Sequence, residues 1–429
     1  MRRSPVFSCS LLAVTVALLG QPTTLAAQGC CRAADLPMAA PEDVGMSSQR
    51  LQRLTDMLQG YIDRNEVVGT VMLVARQGKI VHFEAQGLRD REAREPMTTD
   101  AIFRMASMTK PITSVALMML WEEGHFQLRD PVSKWIPEYA EMRVAAGTNS
   151  DGSMRTVALE TPVTVQHLLT HTAGIANQYR GQSREAALAL RTPRPLTLEE
   201  SVLRFTQLPL NFQPGEAWEY GTATDVVGVL VEKISGMTLD EFFRERIFEP
   251  LGMPDTHYYL RPEKLHRFAA LYGPDDAGKA ALTEAPDANS EFVREPHTLF
   301  LGRGGLVSTA ADYFRFQQMM LNGGSLDGVR ILGTKTVELM TVNHIGDLPV
   351  WLLGPGYGFG LGYAVVTDLG QSGSSLSHGS FFWGGAYATT FWVDPVEELI
   401  GIMLVQIRPY NHLNIRSDAR TTTYQAIIN

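Results

Sequence analysis

Cysteine is nearly missing from this 429-residue sequence: the three present, Cys9, Cys30 and Cys31, all lie near the N-terminus. The body therefore has no internal disulfide, no thiolate nucleophile and no cysteine metal site. Clustered cations are missing too. Lys and Arg number 37 against 46 Asp and Glu, for a formal net charge of −9, and they form no basic run. A sequence-independent hold on phosphates needs such clusters, so nucleic acid is not an expected partner. Past the N-terminus no apolar run approaches the roughly 20 residues that cross a bilayer. No internal repeat or low-complexity stretch occurs.

What is there begins with an export pattern. Arg2 and Arg3 precede an apolar stretch over 11–19, followed by small residues with Ala26 and Ala27 as cleavage points. This predicts a signal peptide over 1–27, a linker over 28–42 and one domain over 43–429, placed in the periplasm or outside the cell. A short membrane anchor would leave a similar pattern. Gly29-Cys30 hints at lipidation, although Gln28 and Ala27 fit that motif poorly. With 45% hydrophobic residues the domain can bury a large core, so export without disulfides is tolerable.

The pattern along the chain predicts an α+β fold. A helical period runs over 47–65, with Ser47 and Ser48 as N-cap candidates. Two β-rich runs follow, 70–75 and 79–84, with Gln77-Gly78 as a hairpin turn. The middle, about 107–255, reads as helices broken by loops such as 145–155 and 192–195. Residues 275–289 are turn-rich and read as a surface excursion. Strands return over 386–393 and 399–407, turning at Asp394-Pro395, before a closing helix over 416–428. The two chain ends would share one antiparallel sheet flanked by helices, with a mostly helical lobe over about 107–290. A cleft between sheet and lobe is the natural place for a site.

Three elements in this layout carry chemistry. In Ser107-Met108-Thr109-Lys110 the serine starts a helix, and a lysine three residues on shares its face. Serine attacks only when a base takes its proton. Helix-start N–H groups can hold an oxyanion. The spacing also fits a capping serine and a surface lysine. Yet Pro111 and an apolar run follow Lys110, so the amine enters a core, where its pKa should fall. An ordinary lysine is neutral in only about one molecule in 2,500 at pH 7. Second, Tyr220-Gly221-Thr222 lies between a Pro214-Gly215 turn and a helix, where a phenol can relay a proton or simply pack. Third, Trp383-Gly384-Gly385-Ala386 puts paired glycines in a bulky strand, marking close approach of a ligand or backbone, or a bulge. His167 and His171 have metal-ligand spacing, but Leu168 stands where a zinc-protease motif has Glu, and Gly174 ends the helix. Thr170 and His171 are read instead as holding the turn through hydrogen bonds. No metal or cofactor is expected.

These elements, in this order, resemble the serine β-lactamase and penicillin-binding-protein family. So do LLTHTAG at 168–174, PGEAWEYGTATDVVGVLVEKISG at 214–236 and GGLVSTAADYFRF at 304–316, with DPVSKWIPEY at 130–139 and IFEPLGM at 247–253. The likeness spans nearly the whole mature chain. It departs twice from the antibiotic-hydrolysing pattern: Trp383-Gly384-Gly385 replaces Lys-Thr-Gly, and Thr222 replaces the Asn of Tyr-x-Asn. The Trp-Gly-Gly version resembles the family VIII carboxylesterases, which are class C β-lactamase-like, and related acyltransferases.

The resemblance implies Ser107 as nucleophile and Lys110 with Tyr220 as paired base. It implies the N–H groups of Ser107 and Ala386 as oxyanion hole, and Trp383, Gly384, Gly385 and Thr222 as substrate contacts. The implied substrate is a small short-chain ester, cleaved through an acyl-enzyme. A β-lactamase or D-alanyl-D-alanine carboxypeptidase binds a carboxylate through the motif lysine. Trp383 cannot supply that contact, which is worth roughly 1.5–3 kcal/mol. Neutral esters are therefore expected, with weak β-lactam turnover as a side activity. The same residues also fit acyl transfer to an alcohol other than water. A non-catalytic sensor on this fold would need a further defect, since Ser107, Lys110 and Tyr220 are all present.

Overall fold

The computed structural model describes Met1 and residues 36–150, 153–175 and 189–429. Beyond Met1, the expected signal peptide lies outside the described residues, as do most of the expected linker and all three cysteines. The export reading is therefore not addressed by the fold.

The two ends of the chain meet in one eight-stranded antiparallel sheet. Its strands are β1 (Gly69–Arg76), β2 (Lys79–Asp90), β3 (Glu95–Pro96), β4 (Tyr357–Phe359), β5 (Ala364–Val366), β6 (Phe381–Gly384), β7 (Thr390–Asp394) and β8 (Leu399–Leu404). Their spatial order is β4-β5-β6-β7-β8-β1-β2-β3. The seam joining the two ends is β1 against β8, with Val71 opposite Leu404 and Arg76 opposite Leu399. The β1–β2 turn uses Gln77 and Gly78, at φ 53° and 70°, which is why that dipeptide reads as a hairpin.

Every residue of β1 is buried, so both faces of the sheet are covered there. Helix α1 (Ser48–Asp63), capped by the Ser47 side chain on the Arg50 N–H, packs with the C-terminal helix Ile415–Tyr424. The Tyr61 hydroxyl donates to Asp418 at 2.6 Å and ties the two. Helix Ala310–Leu321 packs against β1, β7 and β8. Within the sheet Trp392 lies across from Gly401, where any Cβ would meet the indole at 2.1 Å.

The other lobe is built around α2 (Thr109–Glu122), α3 (Val165–Leu169) and α4 (Ala223–Ser235), with α2 and α3 both packed on α4. Residues Thr109 to Leu120 of α2 are all buried, so this helix is a core element rather than an amphipathic one.

The structure differs from the sequence reading in three places. The expected loop over 145–155 contains most of a hairpin, Arg143–Thr148 with Met154–Ala158, held by Arg143 donating to Thr156. The excursion over 275–289 contains a strand, Ala280–Glu284, paired with Leu271–Pro274. The expected strand over 386–393 begins only at Thr390, because residues 385–389 form the turn between β6 and β7. Arg416 fixes that turn by donating to the carbonyls of Gly385, Ala388 and Thr389, and Ala388 adopts φ 65°.

Candidate active site

Ser107 is not a helix cap. It sits in the single 3₁₀ turn Ala106–Met108, whose N-cap is Met105, and α2 starts only at Thr109. Ala106 just before it is held at φ 46°, a conformation that disfavours any side chain. The Tyr313 hydroxyl donates to the Met108 carbonyl at 2.9 Å from below. The serine hydroxyl is thereby left free for another partner, and that partner is Lys110.

Lys110 is 3% exposed and donates to Ser107 Oγ at 3.0 Å and to the Arg303 carbonyl at 2.9 Å. Its Nζ also lies 4.6 Å from the centre of the Tyr220 ring. Burial holds its pKa below the ordinary lysine value, opposed in part by Tyr220. A neutral amine 3.0 Å from a serine hydroxyl can accept its proton. The strap that carries Arg303 is tied to α2 by Thr113 donating to Gly302 O at 2.7 Å and by Leu306 N–H donating to Thr109 at 3.3 Å.

Tyr220 enters from the loop before α4. Its hydroxyl accepts from the Trp383 indole N–H at 3.2 Å, and the two rings are 5.1 Å apart. Trp383 is thus brought to the cluster from β6 as a brace on Tyr220, its single donor already engaged. Gly384 and Gly385 are required for close approach. A Cβ on Gly384 would meet the Thr389 carbonyl at 2.8 Å and the Arg416 guanidinium at 2.9 Å. One on Gly385 would meet Thr389 Oγ1 at 2.2 Å and the Met105 carbonyl at 2.3 Å. The β6–β7 turn thereby lies against the segment leading into Ser107. Among the described residues neither the Ser107 nor the Ala386 N–H donates a hydrogen bond, so both remain available to an oxyanion. Gly385→Ala should push this turn away and lower kcat on esters by about a hundredfold or more, the loss typical of an oxyanion donor, with KM less affected. Steady-state kinetics beside a melting curve checks this; unchanged kcat with an intact fold would dissociate the turn from the chemistry.

Thr222 is a correction. It is the N-cap of α4, makes no side-chain cap bond, and lines a small separate cavity with Asp225 and Arg303 rather than the cleft at Ser107. The histidine pair does not converge. α3 ends at Leu169, so the helix that would align the two is absent, and His171 turns to φ 59°. His167 Nδ1 accepts from the Thr164 N–H in a capping box. Thr170 holds the turn by bonding Gln166 O and Thr172, each at 2.8 Å. The His171 ring instead packs 5.1 Å from Tyr220, its Nδ1 unpartnered, and burial beside Lys110 pushes its pKa down to about 3. It is a neutral wall of the site. The described residues contain no group of acids, histidines and cysteines able to hold a metal.

The cleft at Ser107 has a volume of about 380 Å³ and includes Lys110, Tyr220, Tyr259 and Tyr387 on its walls. It also includes Arg191, Arg194, Arg303 and Arg408. A site with nothing to offer a carboxylate, the expectation from Trp383, is therefore not what the fold builds. Thr222, Trp383, Gly384 and Gly385 do not line this cleft, whereas Tyr387, the residue after Ala386 in the β6–β7 turn, does. A larger cavity of about 780 Å³ backs onto Tyr259, but none of Ser107, Lys110 and Tyr220 reaches it.

A long antiparallel sheet, a helical lobe, and a serine, lysine and tyrosine gathered between them define the serine β-lactamase and transpeptidase-like class of proteins. The chain belongs to the beta-lactamase family, whose profile matches residues 54–422. It is 32% identical to esterase EstB of Burkholderia gladioli, over 83% of this chain and 90% of that one. It is 29% identical to the lovastatin esterase of Penicillium rubens, over 81% and 91%. Among solved structures it is similar to EstCE1, a hydrolase with promiscuous acyltransferase activity, at TM-score 0.73 and 26% identity, over 87% and 98%. Esterase and hydrolase relatives together place it among serine hydrolases of this fold.

Proposed function

We propose that this chain is a serine esterase that cleaves short-chain carboxylic esters through an acyl-enzyme on Ser107. The observation carrying this reading is the 3.0 Å contact between Ser107 Oγ and a buried Lys110 whose pKa is lowered. Neutral Lys110 takes the hydroxyl proton as Oγ attacks the ester carbonyl. The developing oxyanion is held by the Ser107 and Ala386 N–H groups. The C–O bond then breaks, and Tyr220 passes a proton to the departing alcohol. Water, activated by the same pair, attacks the acyl-serine and releases the acid. An alcohol replacing that water gives acyl transfer, and the similarity to EstCE1 keeps this as a second outcome of the same intermediate.

Trp383 stands where the antibiotic-hydrolysing motif has its lysine, and Tyr220 already accepts its N–H. A cephalosporin should accordingly be turned over with a kcat/KM at least about a hundredfold below the best ester, a gap of roughly 2.7 kcal/mol. The test is a panel of acyl p-nitrophenyl esters run beside a chromogenic cephalosporin. Equal turnover of the two classes would replace the esterase reading with a β-lactamase one.

A further inference from the structure

We infer that the Ser107 cleft selects esters carrying an anionic group, such as a carboxylate, in the acyl or the alcohol arm. This deepens the esterase reading and rests on it. The chain as a whole is acidic, at net −9, yet the described wall of this cleft carries Arg191, Arg194, Arg303 and Arg408 beside Lys110, against a single acid, Glu291. The bias is local and opposite in sign to the molecule.

The arginines of this structure divide into those with a carboxylate partner and those without. Surface arginines such as Arg64, Arg91, Arg244 and Arg246 each meet a glutamate. Arg303 pairs with the buried Asp225. Among the described residues Arg191, Arg194 and Arg408 are exposed and make no ion pair, as is also true of arginines elsewhere such as Arg129 and Arg261, but these three line one cavity. Arg191 stands close enough to Arg303 for the two charges to repel. Arg408 lines the same cleft, its guanidinium 5.9 Å from the ring of Tyr387, in the turn that carries Ala386. Among the described residues, Arg191, Arg194 and Arg408 face this cavity with Glu291 as the one acid on its wall; like charges so placed repel one another, and an anionic ligand relieves that repulsion.

Guanidinium chemistry specifies the ligand further. It never deprotonates in a protein and presents a planar fork that matches a carboxylate bidentately. The carboxylate need not sit beside β6, where the antibiotic-hydrolysing motif holds it. It can sit at the rim, at the far end of either ester arm. Charge at the rim also draws an anionic substrate toward Ser107 before contact, an effect that fades with salt.

Two matched pairs test this on the wild-type chain. p-Nitrophenyl hydrogen adipate against p-nitrophenyl heptanoate places the charge in the acyl arm, on a chain too long for its carboxylate to expel the phenol quickly by itself. meta-Acetoxybenzoate against meta-acetoxybenzamide places it in the alcohol arm. Each kcat/KM is divided by the uncatalysed rate of the same ester. At least one anionic ester should exceed its neutral partner by about tenfold at low ionic strength, and the gap should shrink with added salt. Arg191→Gln and Arg408→Gln should each move that ratio toward one, and the favoured pair identifies the arm. A neutral fluorophosphonate reports separately on the nucleophile. If it labels Ser107 and neutral esters turn over while neither anionic ester gains, this inference fails and the esterase reading survives. The same holds if a preference exists but ignores both arginine substitutions and salt. If Ser107 is unlabelled and no ester turns over, both fail.

Discussion

Ser107→Ala melts within a few degrees of the wild-type protein and loses at least about four orders of magnitude in kcat/KM on its best ester. Both halves of this expected result follow from the local geometry. The Ser107 side chain caps no helix, and its hydrogen bond comes from Lys110. Removing the hydroxyl leaves Lys110 still donating to the Arg303 carbonyl at 2.9 Å, so the buried amine is not stranded. The backbone N–H groups at Ser107 and Ala386 remain, but nothing is left to form the acyl bond. Calorimetry and ester kinetics on one preparation measure the two halves together. A folded variant with wild-type turnover would end the Ser107 mechanism.

Lys110→Met should be as inactive as Ser107→Ala yet melt higher near neutral pH. The lysine is buried, and burial is the leading cause of its lowered pKa. In the unfolded chain the same amine keeps its proton up to about pH 10.4. Between the lowered folded value and that limit the unfolded chain binds more protons, so wild-type stability rises with pH in this window. Below the folded pKa the cost of desolvating the charge is fully present, and methionine of similar length removes it. Methionine also leaves the Arg303 carbonyl without its donor, a smaller loss of about 1 kcal/mol. The difference in melting temperature should therefore be largest below the lowered folded value and close as the pH climbs toward the ordinary lysine range. Ester turnover by the wild type should rise with pH through the same lowered value, as Lys110 becomes the neutral base. Lys110→Arg should be inactive throughout, since guanidinium does not deprotonate. A methionine variant less stable at every pH, or a rate flat from acid to alkaline pH, would contradict the assignment of Lys110.

Features set by a few neighbouring residues were legible in the sequence. Gln77-Gly78 supplies two positive φ angles, and Ser47 supplies a cap, so the first helix and hairpin could be read directly. Ser107 and Lys110 are one turn apart, and that spacing survives even though the turn is 3₁₀ rather than the first turn of an α-helix. What could not be read depends on distant contacts. Arg303 positions Lys110 through a carbonyl from 193 residues away, and a backbone acceptor leaves no mark in a sequence. The run 386–393 looks like a continuous strand by composition. Arg416, arriving from the C-terminal helix, converts its first part into the turn that presents Ala386. The His167–His171 spacing suggested a shared helix face, but α3 stops at Leu169 and sends the second ring into the core beside Tyr220. The arginines of the cleft come from stretches spread between 191 and 408, and only the fold makes them neighbours.

The central claim, a covalent acyl-enzyme on Ser107, is tested most directly by mass spectrometry. The protein is mixed with a slow p-nitrophenyl ester, quenched in acid within the first turnover, digested and mapped. The expected result is one acyl adduct, on the peptide containing Ser107, absent from Ser107→Ala and strongly reduced in Lys110→Met. An adduct on another residue, or ester turnover that persists in Ser107→Ala without any adduct, would contradict it.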